Sequence, residues 1–269
     1  NIGSSKILLF LIKLELFLRK IKMNIQLKDG HFLLNEKFNN INFSWSIPKT
    51  LNNRVWLFIK GIKNRGLEIA KQYGITKIKF NSQDIVIDCG ANTSDLYIFF
   101  KYLNINIKYF AIEPGINEFN SICKNHSLNL DSKIDSKYFQ IALLDINSEK
   151  DFYYAPDNAD SSLIMPPNFE YKYTIKCKTL DTFIKENRLK DKRIKLLKLE
   201  AEGLEIEVLN GAIESLKNIE YIAADLGPER GLKQENTIVD SANLLYQYNF
   251  EMILFNTDRY TVLFRNKNY

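Results

Sequence analysis

Three short segments place carboxylates or a glycine where ligand chemistry would need them. In the first, Asp88-Cys89-Gly90-Ala91-Asn92-Thr93-Ser94-Asp95, a β-branched run (Ile85-Val86-Ile87) leads straight into a glycine. Gly90 permits a tight strand-to-helix turn and close backbone approach, and the N–H groups of the helix start that follows face an anion. The loop lacks G-x-G-x-x-G, so a dinucleotide pyrophosphate is poorly served. A small carboxylate is better served, such as the methionine end of S-adenosylmethionine, with Asp88 at the strand tip for its ammonium group. In the second segment, Ile112-Glu113-Pro114, a carboxylate stands about 20 residues past the glycine, where it can accept hydrogen bonds from two vicinal ribose hydroxyls. In the third, Glu200 and Glu202 follow a buried-type strand and Glu205 starts the next helix. Alternation puts Glu200 and Glu202 on one side, and like-charge repulsion in such a pair raises one pKa toward neutrality, as a general base requires. Each segment also has a plainer reading: a capping Asp in an ordinary strand–turn–helix, a helix-capping Glu, and acidic residues at a helix N-terminus.

The elements that must position these residues follow from hydrophobic periodicity. Residues 54–73 have apolar side chains spaced by three and four (Val55, Ile59, Ile62, Leu67, Ala70), which predicts one helix stopped at Gly74. Short buried-type strands are expected at residues 85–87, 109–112, 139–143, 196–199 and 221–224. Ile206, Leu209, Ile213 and Leu216 share one face of a helix. Strands alternating with helices indicate βαβ units and a parallel sheet covered on both faces, whose ligands bind at the carboxyl ends of the strands. Residues 252–255 and 261–264 predict a closing antiparallel hairpin. An insert at about 149–180 alternates like strands around a Ser/Pro-rich centre. Residues 25–45 read as a small hairpin or irregular lead-in. The expected division is residues 1–50 as N-terminal appendage and 51–269 as the main domain.

The chain has 269 residues with 45% apolar and 26% charged side chains, which excludes a disordered protein and gives enough chain for a core without disulfide staples. Lys plus Arg exceeds Asp plus Glu by only five, too little to argue for a nucleic-acid partner. Cys89, Cys123 and Cys177 are odd in number and scattered, which points to a reducing, cytoplasmic setting. With His31 and His126 far apart, neither a zinc site nor a Ser-His-Asp triad is indicated. Residues 7–18 (ILLFLIKLELFL) are too short and too interrupted by Lys13 and Glu15 to span a membrane, and no small-residue cleavage site follows. Two readings stay open there: a helix packed on the main domain, or a basic amphipathic helix (residues 6–22) in peripheral contact with an anionic membrane surface.

The motifs Ile85-Val86-Ile87-Asp88-Cys89-Gly90-Ala91-Asn92, Ile112-Glu113-Pro114, Ala142-Leu143-Leu144-Asp145, Thr179-Leu180-Asp181-Thr182-Phe183 and Leu196-Leu197-Lys198-Leu199-Glu200-Ala201-Glu202-Gly203 occur in one order. In order and spacing, from about residue 84 to 213, they resemble the FkbM-type methyltransferases. Asp225-Leu226-Gly227-Pro228-Glu229-Arg230-Gly231 is similar to a segment in members associated with glycan methylation. Ser94 stands where the family commonly has Gly, Glu200 where it commonly has Asp, and Cys89 where Val is usual. The resemblance implies a class I methyltransferase fold, a Rossmann-like, doubly wound and mostly parallel sheet. It also implies S-adenosylmethionine as cofactor and a hydroxyl acceptor, often on a sugar. Asp88, Gly90, Asn92 and Glu113 are then assigned to the cofactor, with Ala142 and Leu143 packing against its adenine.

Methyl transfer from a sulfonium is an in-line displacement that mainly needs positioning, and a sugar hydroxyl also gains from a general base. Glu202 is the leading base, Glu200 its orienting partner, and His126, expected on an exposed helix, the alternative. Ser161, Ser162 and Asp225 are expected to line the acceptor pocket, which would take a small molecule or glycan. Two rivals differ in class. A nicotinamide-dependent oxidoreductase needs a glycine-richer loop. A non-catalytic methyltransferase-like scaffold would keep the core and lose the cofactor, and Ser94 is the feature that favours it. An N-methyltransferase often carries an Asn/Asp-Pro-Pro-Tyr run where this chain has Glu200-Ala201-Glu202-Gly203.

Overall fold

The structure, a computed structural model, describes residues 2–155, 161–166 and 168–269, with side chains from residue 5 onward. The chain opens with α1 (Ile2–Leu18) and a three-stranded antiparallel sheet, β1 (Met23–Lys28), β2 (His31–Phe38) and β3 (Ile41–Pro48). Residues 25–45 thus form more than a hairpin: alternation buries Ile25, Phe32, Leu34, Phe43 and Trp45 on one face. Asn125 and Asn129 accept hydrogen bonds from the Ser46 and Ser44 N–H groups at 2.7 and 3.2 Å and fasten this sheet to the rest of the chain.

The helix expected over residues 54–73 is two segments, a 3-10 stretch at Lys49–Phe58 and α2 (Ile62–Gln72). Gly61 breaks them apart. Its φ is +99°, and a Cβ there would meet the Glu36 carboxylate at 2.7 Å. Glu36 instead accepts the Lys63 N–H at 2.9 Å, capping the new helix from a neighbouring strand. Gly74, at φ 70°, ends that helical stretch as its sequence position predicts.

Next come β4 (Ile85–Cys89), α3 (Asp95–Leu103), β5 (Lys108–Ile112), α4 (Ile116–Ser127) and β6 (Asp135–Phe139), three parallel strands with intervening helices. The strand expected at residues 139–143 divides. Phe139 ends β6, while Ala142 and Leu143 form β7 (Ala142–Leu143) in a separate small sheet with β8 (Ser148–Tyr154) and β9 (Tyr171–Lys178), in the order β7-β9-β8. The insert therefore supplies a wall of its own.

The remaining elements are α5 (Leu180–Glu186), β10 (Ile194–Leu199), α6 (Glu205–Asn210), β11 (Ile219–Asp225), α7 (Ile238–Gln247), β12 (Phe250–Asn256) and β13 (Thr261–Asn266). The Thr179-Leu180-Asp181-Thr182 motif is a cap, in which Thr179 Oγ1 accepts the Thr182 N–H at 3.0 Å. The apolar face at residues 206–216 does not form one helix either. Gly211 packs against the Leu144 carbonyl, where a Cβ would stand only 2.2 Å away, and α6 ends there.

The large sheet runs β12-β13-β11-β10-β4-β5-β6, parallel except for β13, which pairs antiparallel with both β11 and β12. This is the expected doubly wound α/β fold with its closing hairpin. Period-2 alternation sorts its side chains onto two cores. Val86, Tyr109, Leu196 and Ala223 face one core, shared with α1, α2, α3 and the N-terminal sheet. Ile85, Ile87, Phe110, Leu197 and Ile222 face the other, shared with α5, α6 and α7. No helix among the described residues is long and apolar enough to cross a membrane.

Candidate active site

Strand order reverses between β4 and β10, and in an open parallel sheet that switch point opens a crevice at the carboxyl ends. Register places Asp88 beside Lys198 across the β4–β10 pair. Alternation keeps both on the face that carries Tyr109, whose hydroxyl donates to Asp88 Oδ2. Lys198 Nζ donates to the Gly90 carbonyl and to Glu200 Oε2, each at 2.6 Å, and lies 3.5 Å from Asp88 Oδ1. Burial opposes the ammonium charge, but Glu200 and Asp88 outweigh it and hold the Lys198 pKa above its ordinary range. Burial also works against ionising Glu200, yet the neighbouring Lys198 prevails and its carboxyl stays below the usual value. Asp88 goes the other way: burial raises its carboxyl against the pull of Lys198 and Tyr109.

Gly90 joins the two loops. Its φ is +70°, and a Cβ would stand 2.0 Å from the Glu200 carbonyl oxygen, so the loops after β4 and β10 touch only because no side chain intervenes. Four N–H groups of this loop are taken up within the protein. Gly90 and Ala91 donate to the Ile112 carbonyl, Asn92 to Glu113 and Ser94 to the Ala91 carbonyl. Arg54 lines both cavities; its buried Nε has no hydrogen-bond partner, while its guanidinium lies 3.4 Å from Asp95 Oδ2.

Two cavities adjoin at this junction and share Arg54, Gly90, Asn92, Glu200 and Glu202. The first has an apolar wall of Ile112, Ala142, Leu143 and Phe152, with Glu113, Ser161 and Ser162 also facing it. Glu113 accepts the Asn92 and Gly115 N–H groups, one on each oxygen, both at 2.8 Å. Burial, and then the charge of Glu118, push the Glu113 carboxyl up to about 8. A carboxylate has about four acceptor sites, so two remain for hydroxyl donors.

The second cavity is charged and polar, with Gln72, Tyr73, Asp88, Lys198, Glu229 and Arg259 among its walls. Asp225 is not among the described residues that line either cavity. Its carboxyl is 1% exposed and lies 3.5 Å from Arg259. The cavity sees Glu229 from that segment instead, and Arg259 from the turn between β12 and β13. Burial raises the Glu229 carboxyl to about 8, assisted by the charges of Asp225 and Glu200.

The loop carrying Glu202 is held from both sides. Glu205 Oε1 accepts the Ala201 N–H at 2.8 Å and the Gly203 N–H at 3.2 Å, while its Oε2 accepts from Thr237 at 2.8 Å. Glu205 is thus the capping carboxylate of the plainer reading. Glu202 itself has a left-handed backbone, φ 51°. Its carbonyl accepts from Ser162 Oγ at 3.3 Å, which ties the insert to the site. Ser161 Oγ accepts the Ala155 N–H at 2.9 Å and shapes the same insert loop.

His126 is not exposed, as expected from its helix, but buried. Its Nε2 lies 3.0 Å from Ser94 Oγ and its Nδ1 3.0 Å from Ser136 Oγ, and burial depresses its pKa to about 3. A ring kept neutral and away from both cavities is a poor proton acceptor for a bound substrate. Ser94 explains why glycine is usual at its position: its φ is 70°, a conformation that costs a side-chain-bearing residue about 1–2 kcal/mol. The bond to His126 offsets part of that.

Sequence reasoning missed Lys198, Arg54, Glu229 and Arg259. Only Lys198 left a signal, a lysine inside an otherwise apolar strand, Leu196-Leu197-Lys198-Leu199. The other three, Arg54 on the 3-10 stretch and Glu229 and Arg259 in loops, reach the crevice through an approach that is a tertiary fact.

The family model described as the methyltransferase FkbM domain matches residues 88–251, well over half of the chain. Among solved structures, the methyltransferase FkbM from Methylobacillus flagellatus KT is 14% identical with a TM-score of 0.47, covering 80% of this chain. This chain spans only 52% of that one. Magnesium protoporphyrin IX methyltransferase from Synechocystis PCC 6803 with bound S-adenosylmethionine is 7% identical, covering 80% of this chain and 81% of that one, TM-score 0.43. An rRNA methylase from Streptococcus thermophilus is 12% identical, covering 74% of this chain and 96% of that one, TM-score 0.42. No curated protein matches. With five motifs in order, the strand order of the sheet and the family match over residues 88–251, the chain belongs to the FkbM methyltransferase family.

Proposed function

We propose that this methyltransferase moves a methyl group from S-adenosylmethionine to a hydroxyl of a sugar or glycan precursor, in the cytoplasm, by in-line transfer with carboxylate assistance. The observation that carries the reading is the pair of cavities meeting at Gly90 and Glu202, one with an apolar wall and a buried ribose-type carboxylate, the other charged and polar. Buried acceptors without a hydrogen-bond partner fit the cofactor: Asn92 Oδ1, Glu118 Oε2 and Asp88 Oδ1, the last 3.5 Å from Lys198, suit the ammonium and hydroxyl donors of such a ligand. In this reading Glu113 takes the ribose hydroxyls, Ala142, Leu143 and Phe152 pack the adenine, Asp88 and Asn92 meet the amino-acid end, and Arg54 pairs with its carboxylate. The bound cofactor supplies an electrophilic methyl on a neutral leaving group, and the protein's task is alignment.

Glu202 accepts the proton of the acceptor hydroxyl, and Glu200, anchored by Lys198, orients the loop that carries it. Gln72, Glu229 and Arg259 offer hydrogen bonds suited to an acceptor rich in hydroxyls. Ser161 and Ser162 close the insert side. Ser94, the feature that favours a scaffold, lines neither cavity among the described residues. One observation favours a second assignment of the base: Glu229, raised to about 8, is a carboxyl poised near neutrality. The test is mass-spectrometric detection of methylated product from a panel of sugar nucleotides, with Glu202→Gln and Glu229→Gln alongside the wild type. Methyl transfer lost in Glu202→Gln supports the reading. Transfer unchanged in that variant and lost in Glu229→Gln moves the base to Glu229.

A further inference from the structure

The outward face of α1 is unlike the rest of the surface. The helix turns about 100° per residue, so Ile7, Phe10, Leu11, Leu14, Phe17 and Leu18 fall on one stripe about 120° wide, and all six are exposed, Phe17 by 79%. The opposite side carries Ser5, Ile12 and Leu16, which are buried against the body of the protein. The helix is apolar on two faces, and only one of them is covered. Packing on the domain therefore accounts for one face and leaves the other without a partner.

Charge says what suits the open face. Residues 5–22 hold five basic side chains, Lys6, Lys13, Arg19, Lys20 and Lys22, against one acidic, Glu15, which is already paired with Arg19 at 2.8 Å. All five basic side chains are exposed. Lys6 and Lys13 are two turns apart on one flank of the apolar stripe. A two-fold contact between copies through this stripe would set like charges against each other. An anionic lipid surface takes both features at once: apolar side chains enter the acyl boundary while lysine stems reach the headgroups. Trp56 and Leu57, each 38% exposed, lie on the 3-10 segment that packs beside α1. Leu57 also lines the second cavity.

We propose that the open face of α1, with Trp56 and Leu57, docks this protein on an anionic membrane surface, lying in the interface and not crossing it. The proposal stands on α1 itself and does not depend on the identity of the methyl acceptor.

The full chain is floated with vesicles of phosphatidylcholine alone and with vesicles of phosphatidylcholine mixed with phosphatidylglycerol, at low and high salt. The expected result is partition to the anionic vesicles that weakens with salt. Phe10→Ser with Phe17→Ser, both at exposed positions, lowers partition tenfold or more at unchanged melting temperature. Lys6→Glu with Lys13→Glu lowers it on the order of tenfold, on anionic vesicles only. No partition, or equal partition of the wild type and the Phe variant, overturns the proposal. A dimer in lipid-free buffer that dissociates in the Phe variant overturns it in favour of a second copy as the occupant.

Discussion

Replacing Lys198 by Met tests whether the centre of the site is an electrostatic unit. The stem keeps its volume while the ammonium disappears from between two carboxylates, 2.6 Å from Glu200 Oε2 and 3.5 Å from Asp88 Oδ1. Removing one partner of a buried ion pair costs about 3–5 kcal/mol, because the remaining charge is left uncompensated. The Glu200 side chain keeps 25% of its exposure to solvent, which puts the expected loss near the lower end, about 3 kcal/mol. At about 2–4 °C per kcal/mol for a chain of this size, the melting temperature should fall by roughly 6–12 °C. The pH dependence follows from the direction of the Glu200 shift. A carboxyl held below its ordinary value of 4.5 contributes stability that is present above that value and is lost as pH falls through the folded-state pKa. The variant lacks that contribution, so the gap between the two proteins is widest at neutral pH and narrows below about pH 4.5. Urea denaturation followed by tryptophan fluorescence at about pH 7 and about pH 4 measures both. A neutral-pH loss under about 1 kcal/mol, or an equal gap at both pH values, refutes the reasoning.

Other variants probe the remaining parts. Glu202→Gln should lower turnover at least about a hundredfold with cofactor affinity preserved, measured by single-turnover and binding experiments; unchanged turnover removes Glu202 from the mechanism. Glu229→Gln should shift the pH–rate profile near pH 8 if that carboxyl shares the proton, and leave it unmoved if it only shapes the cavity. Ser94→Ala keeps the positive φ and strands the His126 nitrogen, so it should cost about 1–3 kcal/mol. Ser94→Gly relieves the backbone and should cost about 1 kcal/mol less than Ser94→Ala; the reverse order in denaturation midpoints contradicts the strain argument. Gly90→Ala drives a Cβ into the Glu200 carbonyl, which stands 2.0 Å from where that Cβ would be. It should abolish cofactor binding even where the protein still folds; binding retained at wild-type strength would show that the two loops need not touch.

Much of the fold can be read from the chain because its central parallel strands, β4, β5, β10 and β11, are buried on both faces. The β-branched run Ile85-Val86-Ile87 and the apolar run Leu196-Leu197-Lys198-Leu199 announce themselves, and so do their carboxyl-end residues Gly90, Glu113, Glu200 and Glu202. Breaks were harder. Gly61 and Gly211 interrupt apolar faces that continue in sequence, because Glu36 and the Leu144 carbonyl approach them from distant segments. Residues 139–143 read as one strand, yet Phe139 and Ala142 belong to different sheets. The charges of the second cavity were least visible. Arg54 sits on the 3-10 stretch and Glu229 and Arg259 in loops, and neither periodicity nor spacing records that these converge. His126 shows the same limit from the other side: a polar residue near a helix end looks solvated until Ser94 and Ser136 are found against it.

The central claim is most directly tested by calorimetric titration of the purified protein with S-adenosylmethionine and, separately, with NAD, repeated on Glu113→Ala. The account predicts binding of S-adenosylmethionine alone, lost or weakened at least about tenfold in the variant, since the two hydrogen bonds that the Glu113 carboxyl offers the ribose disappear. Binding of NAD in its place, binding of neither, or equal binding by wild type and Glu113→Ala would contradict it.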